Sequence, residues 1–253
     1  MKKYNTTQLC VDKIFERHVY HRDYFAHYLR WSHVLKIAEP QFKILDLGCG
    51  SANLFEVFYR NRFTPQKYLG LDIRKQIIDN NKEKYKNLEY VNFEQIDLLS
   101  NYNFGNDWDL IVCFEVAEHL GKNNINILLE NIKKHANSKT IILLSTPIYD
   151  ERVGAAQNHI INNEICEFKY IELKNILSQH FTINKNYGTF ASIKDYKYKL
   201  NEYSKIFEKL SEYYDTNILS VIFAPLFPEN SRNCLWKLSI NKTLEDYNEQ
   251  STN

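Results

Sequence analysis

The run Lys43-Ile44-Leu45-Asp46-Leu47-Gly48-Cys49-Gly50-Ser51-Ala52 limits what this chain can become more than any other segment. Its apolar residues read as a buried parallel strand, because strands covered on both faces run apolar rather than alternate. Gly48 and Gly50 then permit a sharp turn and a close backbone approach that a side chain would block. A helix is expected from about Asn53, through Leu54-Phe55-Glu56-Val57-Phe58, with its positive end aimed at whatever the turn holds. Strand, glycine turn and helix together make a nucleotide-type binding edge.

Two common occupants of such an edge fit poorly. The dinucleotide fingerprint G-x-G-x-x-G needs a third glycine where Asn53 stands. No Gly-Lys-Ser/Thr follows, so the phosphate-loop pattern fails as well. Asp46 would repel a diphosphate and suits an ammonium group.

Ile44-Leu45-Asp46-Leu47-Gly48-Cys49-Gly50 resembles motif I of the class I S-adenosylmethionine-dependent methyltransferases, and later segments resemble the rest of that pattern in order. Tyr68-Leu69-Gly70-Leu71-Asp72-Ile73 reads as a second strand ending in an acid, about 20 residues past the glycine turn as in a βαβ unit. The resemblance implies that Asp72 accepts both ribose hydroxyls, with Ile73 beside it. Val91 to Leu98 reads as the third strand and its exit. There it implies an adenine contact for Asp97 and backbone contacts from Leu98. Trp108 to Leu120 resembles the F-D-x-I-x-x-x-E-V-x-E-H segment of the quinone-type, small-molecule members, which implies cofactor contacts for Phe114 and Glu115. Thr140 to Pro147 is an apolar fifth strand. With Asp46, Gly48, Cys49, Gly50 and Asn53 these residues form the expected cofactor set. The implied cofactor is S-adenosylmethionine, with S-adenosylhomocysteine as product. The implied fold is α/β, a Rossmann-like seven-stranded, mostly parallel sheet with helices on both faces.

Around that core the expected organisation is an amino-terminal helical lid (1–40), a methyltransferase domain (41–241) and a polar tail (242–253). A helical pattern from Phe15 to Ala38, ended by Pro40, carries His18, His21, Arg22, His27, Tyr28, Arg30, Trp31 and His33. As a lid it would place Tyr28, Arg30 or Trp31 near the methionine carboxylate or the acceptor. As a plain amphipathic helix it would only present a solvated basic face. Helices are expected near 53–61, 75–86, 118–136 and 167–179. A sixth strand is expected at Phe181–Asn184, and a seventh, antiparallel one at Cys234–Ile240. An insertion from about 187 to 233, with a helix from Glu202 to Tyr214, is longer than ordinary connections and is expected to build the acceptor pocket.

Transfer to a hydroxyl needs in-line alignment and removal of a proton. His159, in the long polar loop after the fifth strand, is the first candidate for the base, because neutral imidazole accepts protons near pH 7. His119 is the second candidate, with Glu115 nearby. The Glu115-x-x-Glu118-His119 segment supports two readings. It resembles the metal-binding segment of the RNA 2′-O-methyltransferases of the small-RNA 3′-end family, with His159 as the downstream ligand. It equally resembles the metal-free quinone-type members, where the acids contact cofactor and favour a helix start. The metal-free reading is the expectation, with Glu115, Glu118, His119 and His159 as candidate ligands otherwise.

Thirty-two Lys and Arg against 31 Asp and Glu leave a net charge of +1, without the basic surplus of a nucleic-acid enzyme. The Asp/Asn-Pro-Pro-Tyr/Phe and Pro-Cys segments of DNA methyltransferases are absent after the fourth strand. Five scattered cysteines form no C-x-x-C pair, which argues against a disulfide framework or a cysteine zinc site. With no apolar run of membrane-spanning length and no apolar leader, a cytoplasmic protein is expected. The layout resembles quinone-type-motif methyltransferases encoded near surface-glycan genes. The expected activity is therefore O-methylation of a small polar acceptor, such as a sugar or nucleotide-linked sugar. No membrane partner is expected, nucleic acid is disfavoured and a homo-oligomer stays open. The rivals are a metal-dependent RNA ribose 2′-O-methyltransferase and a non-catalytic adenosylmethionine-binding partner protein.

Overall fold

The computed structural model describes residues 22–190 and 199–241. A seven-stranded sheet runs in the order β3-β2-β1-β4-β5-β9-β8. Its strands are β1 Lys43–Leu47, β2 Lys67–Asp72, β3 Val91–Gln95, β4 Leu110–Phe114, β5 Ile141–Pro147, β8 Phe181–Phe190 and β9 Asn233–Ile240. The first five pair in parallel, and β9 lies antiparallel between β5 and β8. β6 (Ile160–Ile161) and β7 (Glu164–Ile165) form a separate small hairpin. The helices are α1 Arg22–Ile37, α2 Asn53–Arg60, α3 Lys75–Tyr85, α4 Ile125–Lys134, α5 Tyr170–His180, α6 Ser204–Ser211 and α7 Thr216–Phe223. Among the described residues, no helix is long and apolar enough to cross a membrane.

Side chains alternate faces along a strand, so β1 feeds two cores. Leu45 and Leu47 join Ile111, Leu144 and Trp236 against Leu128, Leu129 and Ile132 of α4 and Leu173 and Leu177 of α5. Ile44, Tyr68, Phe93 and Val112 pack on the other face against Trp31 and Val34 of α1, Phe55 and Phe58 of α2, and Ile78 and Tyr85 of α3. Fully buried aromatics carry much of that second core, and truncating one such as Phe55 would cost about 3–5 kcal/mol. Both cores hold the carboxyl ends of β1, β2, β4 and β5 along one edge, where the order reverses between β1 and β4. That crevice is where open α/β sheets bind ligands.

Several expected elements shift. The helix expected at 118–136 begins only at Ile125. Gly121 adopts φ 83°, and the two short 3₁₀ turns Ala117–His119 and Lys122–Asn124 precede the helix proper. Glu118 and His119 therefore lie in a 3₁₀ turn and do not open that helix. The sixth strand is longer than expected, running to Phe190, so the connection to β9 starts after it. The helix expected from Glu202 to Tyr214 is a 3₁₀ turn at Asn201–Tyr203 leading into α6, and α7 follows as a second helix. The expected lid helix is described from Arg22 onward. Its earlier positions, including His18 and His21, the segment from Ser192 to Tyr198, Cys10 and the tail after Asn241 fall outside the described residues.

Candidate active site

The glycine turn closes by backbone bonds to β2. The N–H groups of Gly48 and Cys49 both donate to the Leu71 carbonyl, at 2.8 Å each. Gly48 has φ +74°, and a Cβ there would lie 2.3 Å from Val116 Cγ2. Both the dihedral and the space therefore exclude a side chain. Gly50 has φ +53°, and its N–H donates to Asp72 Oδ2 at 3.0 Å. Asn53, exposed, opens α2 directly behind the turn.

Asp72, at the end of β2, is buried, and both its oxygens are engaged. Arg74 donates from Nε to Oδ1 at 2.9 Å and from Nη2 to Oδ2 at 3.0 Å. Burial alone would raise the Asp72 pKa, but Arg74 and the Gly50 N–H outweigh it and hold it below the usual carboxylate range. Ile73, which follows Asp72, is 59% exposed. Asp97 is exposed and accepts the Leu99 N–H at 2.9 Å, while Leu98 is buried beside it. Asp46 is buried beneath the turn and accepts the Tyr68 hydroxyl. Burial raises its pKa to about 7 against that hydrogen bond. Burial likewise pushes the Cys49 thiol up.

Across β4 the picture changes. Phe114 is half-buried at the strand end, and Glu115 follows in the left-handed region at φ 56°. Glu115 Oε1 lies 3.2 Å from Arg30 Nη1 and accepts the Ser145 hydroxyl at 2.8 Å. Asn233 Nδ2 donates to its Oε2 at 2.8 Å. Arg30 also donates to Asn233 Oδ1, and Thr189 donates to the same oxygen at 2.7 Å. Burial pushes the Glu115 carboxyl up, but Arg30 and then Asn233 and Ser145 dominate and hold it down. Arg30 is thus buried and tied to Glu115, Asn233 and His27, while Trp31 packs in the core stacked on His27 and Tyr28 is exposed. The sequence had no signal for Asn233 and Thr189, which close this network from β9 and β8.

Beyond it, three predicted residues converge. Glu118, buried, accepts the Thr146 hydroxyl at 3.0 Å, and burial together with the Glu115 charge raises its pKa. The His119 and His159 rings meet edge to face, with centroids 5.0 Å apart. Partial burial, then the neighbouring His159, lowers the His119 pKa. His159 Nδ1 sits 2.7 Å from Oε1 of the buried Glu167, a residue that sequence reasoning passed over. The Ala156 N–H donates to the same Glu167 oxygen.

Residues 45–142 match a family model described as a methyltransferase domain. The matched segment, under half of the chain, fits a methyltransferase domain, and the sheet that contains it has the Rossmann-like order of the class I S-adenosylmethionine-dependent methyltransferase fold. Solved structures share this fold. A TehB-like SAM-dependent methyltransferase from Corynebacterium glutamicum is 15% identical over 87% of this chain and 98% of that one, with a TM-score of 0.56. The methyltransferase domain of bacterial CtHen1-C is 13% identical over 87% of this chain and 100% of that one, TM-score 0.56. The (4+2)-cyclase SpnF is 11% identical over 85% of this chain and 82% of that one, TM-score 0.57. No protein of curated function shows significant sequence similarity to the chain.

S-adenosylmethionine is the cofactor of this domain, and the crevice fits it. Gly48 and Gly50 leave room for a close approach, and Asp72 offers a carboxylate beside them. A divalent cation would also find donors. Glu118, His119 and His159 each bring one ligand atom within 4.8 Å of the others. Two imidazoles and a carboxylate suit a first-row divalent ion, and a carboxylate behind a ligating histidine is a usual outer partner. Glu115, the fourth candidate, is drawn to Arg30 instead.

Proposed function

We propose that this methyltransferase O-methylates a small polar acceptor, with a sugar or nucleotide-linked sugar in surface-glycan biosynthesis as the best fit. The observation that carries the reading is the buried Glu167–His159 pair at the crevice edge, beside His119 and Glu118. Bound S-adenosylmethionine supplies an electrophilic methyl group for in-line displacement. His159 Nε2 takes the acceptor hydroxyl proton as the oxygen forms its bond to that methyl carbon. The sulfonium would act as leaving group and keep the C–S electron pair, so the acceptor oxygen would gain the methyl group and His159 the proton. A positioned base contributes about 10²–10⁴-fold to such a step. The cofactor contacts assigned to Asp72, Ile73, Asp97, Leu98 and Phe114 belong to the same reading. So does the acceptor pocket between the loop after β5 and the α6–α7 insertion. The balanced charge of +1 favours a small acceptor over a polyanion.

A second reading is favoured by one observation. The convergence of Glu118, His119 and His159 suits metal-dependent methylation of an RNA ribose 2′-hydroxyl, where those side chains would hold the cation. One experiment separates the readings. The full-length protein is incubated with methyl-labelled S-adenosylmethionine and cell extract split into glycan, small-metabolite and nucleic-acid fractions, with and without chelator. Label in the glycan or metabolite fraction is expected. Label in RNA that chelator abolishes would replace the first reading with the second. Cofactor binding without label in any fraction would point to a non-catalytic partner protein. The cyclase among the structural neighbours shows why turnover needs its own test, since the fold alone does not fix the reaction.

A further inference from the structure

We propose that Glu167 is the positioning residue of the acceptor site, holding His159 as the Nδ1–H tautomer so that Nε2 presents its lone pair to the reacting group. The inference rests on the reading of His159 as a group that works through Nε2, whether as base or as ligand.

Glu167 sits in a segment clamped from both sides. The Cys166 N–H donates to the His159 carbonyl at 2.9 Å, and the Tyr149 N–H donates to the Phe168 carbonyl at 2.8 Å. Phe168 pairs with Ile148 in an isolated bridge that extends β5, and Cys166 and Phe168 are each 1% exposed. The Glu167 backbone is therefore fixed relative to the end of β5 and to His159 at once. Its side chain is 7% exposed, and a carboxylate so placed needs donors. Two reach its Oε1: the Ala156 N–H at 3.2 Å and His159 Nδ1 at 2.7 Å. A carboxylate offers only acceptors, so a contact of 2.7 Å requires the proton on Nδ1.

The tautomer follows from that bond. A neutral imidazole with Nδ1 protonated has its lone pair on Nε2. The His159 ring is 12% exposed and meets the His119 ring edge to face at 71°, so it has little freedom to turn over. Without Glu167 the ring would revert toward the Nε2–H tautomer usual for histidine in water, which can neither take a proton nor ligate through Nε2. A purely structural Glu167 that only anchored Ala156 would leave the tautomer indifferent to its removal.

The test uses the full-length protein, uniformly ¹⁵N-labelled, with the tautomer of each imidazole read by long-range proton–nitrogen correlation. Wild-type protein is expected to show His159 as Nδ1–H. Glu167→Ala is expected to shift it to Nε2–H and to lower label transfer from S-adenosylmethionine into the accepting extract fraction by about 10–100-fold. S-adenosylhomocysteine affinity should stay unchanged, which checks that the variant folds. Glu167→Gln, which keeps an acceptor in place, should recover part of the rate and serves where the alanine variant unfolds. His159 found as Nε2–H in the wild type, as Nδ1–H in Glu167→Ala, or as Nε2–H with full transfer in Glu167→Gln, would overturn the proposal. Failure of the wild type to label any fraction would sink the acceptor reading, while the tautomer readout would still decide the role of Glu167.

Discussion

The two halves of the crevice are built in different ways. On the side of β1, β2 and β3, each functional group lies at a strand end and is held by near neighbours in sequence or in the adjacent strand. Arg74 holds Asp72 from two residues away, and the glycine turn bonds to Leu71. On the side of β4, β5 and β9, the contacts around Glu115 cross the chain. Asn233 reaches Glu115 over 118 residues and Arg30 reaches Asn233 over 203. The first half is a local device that any chain with this strand–turn–strand pattern acquires. The second exists only once the amino-terminal helix, the loop after β5 and the last strand have docked.

If the halves are separable, disabling one should spare the other. The largest effect is expected for His159→Ala. Methyl transfer should fall by about 10²–10⁴-fold while S-adenosylhomocysteine binds as before, measured by label transfer and calorimetry. A matching loss of affinity would erase the distinction. Next comes Asp72→Ala, which removes a buried charged acceptor. Cofactor affinity should drop by about 100-fold, since hydrogen bonds to a charged group contribute about 1.5–3 kcal/mol each. Retained tight binding would move the cofactor away from Asp72.

The same contrast explains how far the sequence could be read. The apolar run before Gly48, the positive φ at Gly48 and the acid ending β2 follow from local rules, so this edge of the crevice was visible in the residues themselves. Glu167 was not, because it meets His159 across a hairpin. The signal was present all the same. Asn162 and Asn163, with φ of 51° and 66°, form the tight two-residue turn between β6 and β7. Asn-rich two-residue loops mark such hairpins, and folding the sequence back there sets His159 opposite Cys166. The helix expected at 118–136 failed for a related reason. Gly121 breaks an apolar pattern that otherwise runs through, and the break leaves Glu118 and His119 on a turn that faces His159. The Arg30–Glu115–Asn233 network had no local signal, because a buried ion pair between distant segments is a property of the finished packing.

Two smaller effects sharpen the comparison. Glu56 on α2 belongs to the local half. Burial would raise its pKa, but Lys84, Tyr85 and Arg60 hold it at about 2 against an ordinary 4.5. A depressed folded pKa stabilises above the unfolded value and is lost as pH falls through the folded one. Glu56 should thus contribute about 1–3 kcal/mol at neutral pH that disappears between roughly pH 4.5 and 2. Denaturant titrations of wild type and Glu56→Gln across that range should converge at the acid end. Equal stability at pH 7 would show that the cluster contributes nothing. The smallest effect concerns Arg74, whose exposed guanidinium covers the Asp72 oxygens proposed to receive the ribose. Arg74 itself stays in solvent, which limits the cost of displacing it to about 1 kcal/mol, so Arg74→Ala should bind S-adenosylhomocysteine up to about 5-fold more tightly. Weaker binding would mean that Arg74 holds the ligand and does not compete with it.

The most direct test of the two-sided crevice is a crystal structure of the full-length protein with S-adenosylmethionine bound. The ribose is expected on Asp72, the methionine over Gly48 and Gly50, and the sulfonium methyl directed across β4 toward His159. A cofactor seated elsewhere, or one whose methyl points away from His159, would contradict the account.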